Sequence, residues 1–168
     1  MTLENIEKRL VALERLEKRV ETLEDIEEIK TLTRHYVNSL VFVKWDDVVD
    51  CFADNASVEI GVAGLRQGKA AIAKLFKEEI CTRHIGKEMV FVVHPEISLD
   101  GNRAKGSWLL YFMFTKATHI QPMAWVQGPY DLEYEKVKGN WKISRLKWIQ
   151  RLGPKPIKLM KIYGAKDI

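Results

Sequence analysis

The sequence predicts an α+β domain, in which a strongly curved antiparallel sheet forms a cone-shaped barrel packed on three helices, with a helical arm in front of it. Three observations predict this. Apolar residues recur at steps of three and four through the N-terminal part. Strand-type runs of Val, Ile, Tyr, Phe and Trp fill the chain after Cys81. Tight-turn signals at Leu99-Asp100-Gly101-Asn102 and Lys138-Gly139-Asn140 join long strands. Helices first and a meander afterwards place the helices on one face of the sheet.

Residues 1–32 read as one helix, with Leu3, Ile6, Leu10, Leu13, Leu16, Val20, Leu23, Ile26, Ile29 and Leu32 forming its apolar stripe. The unit Leu3-Glu4-Asn5-Ile6-Glu7-Lys8 returns as Leu13-Glu14-Arg15-Leu16-Glu17-Lys18, then more loosely from Leu23. The mean apolar spacing of about 3.3 residues is shorter than a helical turn, so the stripe drifts left-handedly around the helix. Glu–Lys pairs along such a helix contribute only about 0.2–0.5 kcal/mol each. The stripe must be buried on something, and residues 1–22 therefore read as an arm packing on another subunit or back on its own domain.

From about residue 24 to 42 the helix acquires Tyr36, Val37, Leu40 and Val41 and belongs to a core. A short helix is expected over Trp45 to Phe52, with Asp46 and Asp47 in its first turn, where the helix dipole favours them. Residues 56–60 alternate like a strand, Leu65 to Gln67 forms a second short one, and Gly68 opens a third helix from Lys69 to Ile80. Strands are expected at 88–93, 95–99, 103–115, 123–136 and 141–151. The domain then covers 23–152, and residues 153–168 form a tail carrying Pro154 and Pro156.

Composition excludes several classes. The 168 residues, 46% of them hydrophobic, suit one domain with a real core. No run reaches the roughly 18 apolar residues of a membrane span, and the charged start Met1-Thr2-Leu3-Glu4 lacks a secretory apolar segment. A cytoplasmic, non-membrane protein is expected. The net charge of +4 is spread over mixed signs, without the one-signed patch of a nucleic-acid surface. Cys51 and Cys81 have no metal-site or disulfide spacing, and His35, His94 and His119 are scattered, so no metal is expected. No phosphate-binding glycine loop, nucleophile elbow or paired-carboxylate motif is present, and no cofactor is expected.

Five pieces occur in order: Ile26-Glu27-Glu28-Ile29-Lys30 leading to Tyr36; Trp45-Asp46 with Phe52-Ala53-Asp54-Asn55-Ala56; Gly68-Lys69; Arg83-His84-Ile85-Gly86; and Gly128-Pro129-Tyr130 through Tyr134-Glu135-Lys136 to Gly139-Asn140-Trp141. Together they resemble the SnoaL-like branch of the nuclear-transport-factor-2-like superfamily, whose fold is cystatin-like. Within it the chain is most similar to the bile acid 7α-dehydratases, through Met1-Thr2-Leu3-Glu4, the Tyr36 block and the Glu78-Glu79-Ile80 run before His84. The resemblance implies His84 as acid–base group and Tyr36 as a hydrogen-bond donor to a substrate oxygen. It also implies a homo-oligomer, a trimer by family habit, with a dimer through the arm left open. The family's acidic partner of the His falls at Val41 here, a strand Tyr at Ile60, and a terminal Arg at Gln150.

On the residues alone His84 reads as a structural side chain, and it is the resemblance that raises it to a base, whereas Tyr36 reads as readily as a core aromatic as a donor. Strand alternation sends half of each strand inward, and Trp108, Trp148 and Gln150 are expected in the pocket, with Val41, Ile60 and Tyr130. Two functions stay open. One is a cofactor-independent dehydratase- or isomerase-type lyase on a hydrophobic polycyclic molecule. The other is a non-catalytic module binding a small hydrophobic ligand. A pure assembly role is a third.

Overall fold

The computed structural model describes residues 2–82, 84, 86, 88–115 and 122–151, without the side chains of residues 62, 115 and 122–124. The expected tail 153–168 and His119 lie outside the described residues.

Helix α1 (Leu3–Val41) is a single rod of 39 residues with two different halves. Its second half buries Ile29, Thr33, Tyr36, Val37 and Leu40, the three-and-four spacing of a core-facing stripe. In its first half Leu3, Leu10, Leu13, Leu16, Val20 and Leu23 are exposed, so among the described residues the arm is not folded back on its own domain. The halves meet at Asp25. Its carboxylate accepts hydrogen bonds from Lys136 Nζ (2.5 Å) and Trp141 Nε1 (2.9 Å) on the sheet. Partial burial alone would raise this carboxyl's pKa, but those two donors hold it below the usual range.

Helix α2 (Trp45–Asp50) ends two residues before its expected end, and strand β1 (Phe52–Ile60) starts at once rather than at residue 56. Phe52 pairs with Ile143, and the Ile143 N–H donates to Cys51 O at 2.9 Å. The register breaks between Phe52 and Ser57, and such a bulge interrupts the alternation that would have revealed the early half of the strand. Strand β2 (Leu65–Gln67) is an edge, and helix α3 (Lys69–Lys74) continues as a π-helical segment, Leu75–Ile80.

Four long strands follow: β3 (Met89–Asp100), β4 (Arg103–Thr115), β5 (Pro122–Val137) and β6 (Asn140–Trp148). The two strands expected at 88–93 and 95–99 are one. Pro95 sits in a bulge between Val93 and Glu96, with His94 at φ 54°, and the ladder resumes beyond it. Sheet order is β2-β1-β6-β5-β4-β3, an antiparallel meander at one end. The β1–β6 pair is parallel, within a sheet whose other strand pairs are antiparallel. Parallel neighbours need a long connection, and here it runs from Ile60 to Asn140 through α3, β3, β4 and β5. The curved sheet does not close into a barrel, because β2 and β3 remain edges.

Even-numbered residues of β4 and β5, among them Trp108, Leu110, Val126, Tyr130 and Tyr134, face the helices. On β6 a register shift opposite Glu133 and Tyr134 changes the inward parity, from Trp141 and Ile143 to Leu146 and Trp148. Past β6 the chain stays bonded to β5, Ile149 N–H to Pro129 O (3.4 Å) and Arg151 N–H to Gln127 O (2.8 Å). Gly128 permits this approach, since a Cβ there would stand 1.9 Å from Ile149 O. Among the described residues no helix is long and apolar enough to cross a membrane.

Candidate functional site

A mostly apolar hollow lies between the helices and the concave face of the sheet, with a volume of about 80 Å³. Tyr36 and Leu40, one turn apart on α1, form its roof with Phe76 and Ile80 of the π-helical segment. A π-helical turn often marks a functional position in a helix. Val90, Leu110, Phe112, Phe114, Val126 and Tyr130 form the sheet wall, and Ile60, Trp148 and Gln150 come from β1 and the end of β6. Ile60, Ile80, Phe112 and Gln150 are only half-buried, so the described residues leave the hollow unsealed on this side.

His84 completes the lining from the connection between the π-helical segment and β3. Its side chain is 5% exposed and meets Trp45 and Phe112 edge-on, with ring centroids at 5.5 and 5.3 Å. Its Nδ1 lies 3.8 Å from Oε2 of Glu88, whose side chain is 3% exposed. That separation exceeds a direct hydrogen bond but leaves a strong Coulomb interaction in an apolar setting. Burial lowers the imidazole pKa, the Glu88 charge pulls it back up, and burial wins, leaving it below its ordinary value. The imidazole is therefore neutral at pH 7, able to accept a proton.

Opposite the helical roof, Tyr130 donates to the Tyr36 hydroxyl at 2.8 Å, with the two rings stacked at 6.3 Å. Burial pushes both phenol pKa values up, so both remain protonated donors. Trp148 lines the hollow, and its Nε1 has no hydrogen-bond partner among the described residues. Among these residues no three His, Cys, Asp or Glu side chains are grouped so as to hold a metal ion.

Of the residues singled out from sequence, Tyr36, Ile60, His84, Tyr130, Trp148 and Gln150 share this lining. Trp108 and Val41 do not. Trp108 points inward, but toward the closed end of the core, where Nε1 donates to the Tyr134 hydroxyl at 3.2 Å. Val41 sits one residue beyond Leu40, about 100° further around the helix, and packs on the core while Leu40 takes the pocket face. Sequence reasoning missed Glu88 and Trp45. Glu88 is the first residue of the strand expected at 88–93, but β3 begins only at Met89, and nothing in the sequence pairs Glu88 with His84 across the connection between them.

A family model described as a SnoaL-like domain matches residues 21–147. The chain belongs to the SnoaL-like family. Solved structures agree on its nuclear-transport-factor-2-like, cystatin-like fold. One is a nuclear-transport-factor-2-like protein with a cystatin-like fold from Novosphingobium aromaticivorans (TM-score 0.69, 16% identity, covering 81% of this chain and 88% of that one). A second is a hexachlorocyclohexane dehydrochlorinase from Novosphingobium barchaimii (TM-score 0.71, 14% identity, 81% and 92%). A third, from Novosphingobium aromaticivorans, is described as a candidate scytalone dehydratase (TM-score 0.70, 17% identity, 79% and 88%). No curated protein matches the chain. For this SnoaL-like protein such likenesses establish the fold, and function must be argued from the site.

Proposed function

We propose that this SnoaL-like protein is a cofactor-independent lyase or isomerase of small hydrophobic molecules, with His84 moving the proton and Glu88 supporting it. The observation that carries this reading is the buried carboxylate 3.8 Å from Nδ1 of an imidazole that lines an apolar hollow. With Nδ1 turned to Glu88, Nε2 is the nitrogen that acts on substrate. In an elimination, His84 takes a proton from a carbon next to a carbonyl. The C–H electrons form the new double bond, the neighbouring C–O bond breaks, and the imidazolium returns the proton to the departing oxygen as water leaves. Glu88 stabilises the transient imidazolium, whose charge would otherwise be costly in an apolar wall. The Tyr36 hydroxyl, which accepts from Tyr130, keeps its own proton for a substrate oxygen, and the Trp148 N–H offers a second donor.

The volume of about 80 Å³ is below the roughly 150 Å³ apolar cavity that takes up benzene. One ring of a substrate fits after modest adjustment, and the rest of a polycyclic molecule would extend past Gln150 and Ile60. The dehydrochlorinase and the candidate dehydratase among the structural neighbours make elimination a reasonable class to test.

A panel of cyclic β-hydroxy ketones, followed by the absorbance of the enone product, tests the proposal. His84→Gln is expected to lower turnover about 10²- to 10⁴-fold with the fold retained by circular dichroism. Unchanged turnover in that variant would end the acid–base role. A second reading, non-catalytic ligand binding, draws on the apolar Ile60 and the neutral Gln150, which line the hollow at positions that are polar or charged in the bile acid enzymes. It predicts calorimetric binding of apolar ligands by the wild type with no product at any pH.

A further inference from the structure

The geometry assigns the N-terminal arm to a second copy of this chain: we propose that residues 3–23 of α1 pair in parallel with the same segment of another copy. Three observations support this. First, the arm holds a seam of apolar side chains, including Leu10, Leu13, Leu16 and Val20, each half or more exposed, on a helix that the described residues of its own domain leave uncovered. It spans about 30 Å. Second, the ten-residue repeat equals a heptad plus three residues, and such an insertion overwinds a left-handed coil. Two arms crossing left-handedly keep this seam between them.

Third, the seam's two edges carry opposite charges. The residue after an apolar seam position is Glu at Glu4, Glu7, Glu14 and Glu17, and the residue before one is Arg at Arg9 and Arg19. One step along a helix turns about 100°, so Glu lies along one edge and Arg along the other. In a parallel pair related by an axis along the helices, one copy's Glu edge meets the other's Arg edge. In an antiparallel pair like edges meet and repel. The charge pattern thus selects both the occupant, a second copy, and its direction. A separate partner would have no need of flanks complementary to each other.

The test uses the full chain with Cys81→Ser as background. Ile6→Cys and Val20→Cys, each alone, are expected to form covalent dimers under mild oxidation, because parallel pairing brings identical positions together. Cross-links that form only when the two variants are mixed would mean antiparallel pairing and overturn the proposal. So would the absence of cross-links from either variant at micromolar concentration. Arg9→Glu with Arg19→Glu leaves the apolar seam intact and is expected to lose most of the cross-link at low salt. Mixing that variant with a Glu7→Lys, Glu17→Lys chain is expected to restore it. Failure of both would show that the flanks do not meet. Turnover at the pocket is scored separately, so this result and that of the lyase reading fail independently.

Discussion

Two buried hydroxyl clusters join α1 to β5, and they differ in whether their donors are used up. At the closed end the chain of bonds is complete. Trp108 Nε1 donates to Tyr134 (3.2 Å), the Tyr134 hydroxyl to Thr33 (2.8 Å), and the Thr33 hydroxyl to Ile29 O (2.9 Å). Thr33 spends its proton on the carbonyl, so Tyr134 must be the donor between the two hydroxyls. At the open end, one helical turn along, Tyr130 donates to Tyr36, and the Tyr36 proton and the Trp148 N–H border a hollow instead. A saturated network fixes a core. Donors left over beside an unsealed hollow are what a ligand would use.

Each end also has a glycine, and this asymmetry gives the largest expected effect. A Cβ on Gly128 would stand 1.9 Å from the backbone oxygen of Ile149, which cannot yield without displacing Ile149 to Arg151 and with them Gln150. Gly128→Ala should cost about 3 kcal/mol, measured as a lower urea midpoint, and should weaken ligand binding besides. A Cβ on Gly106 would meet only side chains, Trp108 Nε1 and the Tyr134 ring at 3.0 Å. Gly106→Ala should cost about 1 kcal/mol, with turnover untouched. Equal costs would mean that the backbone crossing at Gly128 gives way as readily as the side chains around Gly106.

The hydroxyls come next. Tyr134→Phe leaves the buried Trp108 N–H without its acceptor and should cost about 1–3 kcal/mol, with kcat unchanged. Tyr36→Phe should cost under about 1 kcal/mol, because Tyr130 can turn to water in the hollow, yet turnover should fall. If Tyr134→Phe lowered kcat as much as Tyr36→Phe, the division into a structural and a functional end would be wrong.

The closed end was readable because alternation on β4 and β5 gives the inward parity of Trp108, Tyr130 and Tyr134 directly. The same parity could not say which inward residues meet space and which meet protein, and Trp108 was expected in the pocket for that reason. Trp148 and Gln150 share a face because the register shift on β6 comes before both of them. The early start of β1 and the single β3 were hidden by bulges, at Phe52–Ser57 and Val93–Glu96, that reset the two-residue period. Glu88 was hidden more completely. It was expected as the first residue of a strand but lies just before β3, and its inward turn depends on the tertiary packing around His84 rather than on strand alternation.

The smallest effect concerns that pair. Burial holds the His84 pKa below the ordinary imidazole value, against the opposing charge of Glu88. An unfolded chain binds this proton near pH 6.5, and the native chain binds it only at lower pH. Between those two values the unfolded state holds more protons, so stability rises with pH there and is lost as pH falls from about 6.5. Glu88→Gln removes the charge that favours the imidazolium, and the native pKa should drop further. The His84 ring protons should then titrate at lower pH by NMR, and the acid-induced loss of stability should grow. Under the proposed lyase mechanism the acid limb of kcat/KM should move down with it while kcat falls, since an imidazolium formed on His84 would lose its counter-charge. A purely structural Glu88 would change stability but leave the titration midpoint and the acid limb where they were.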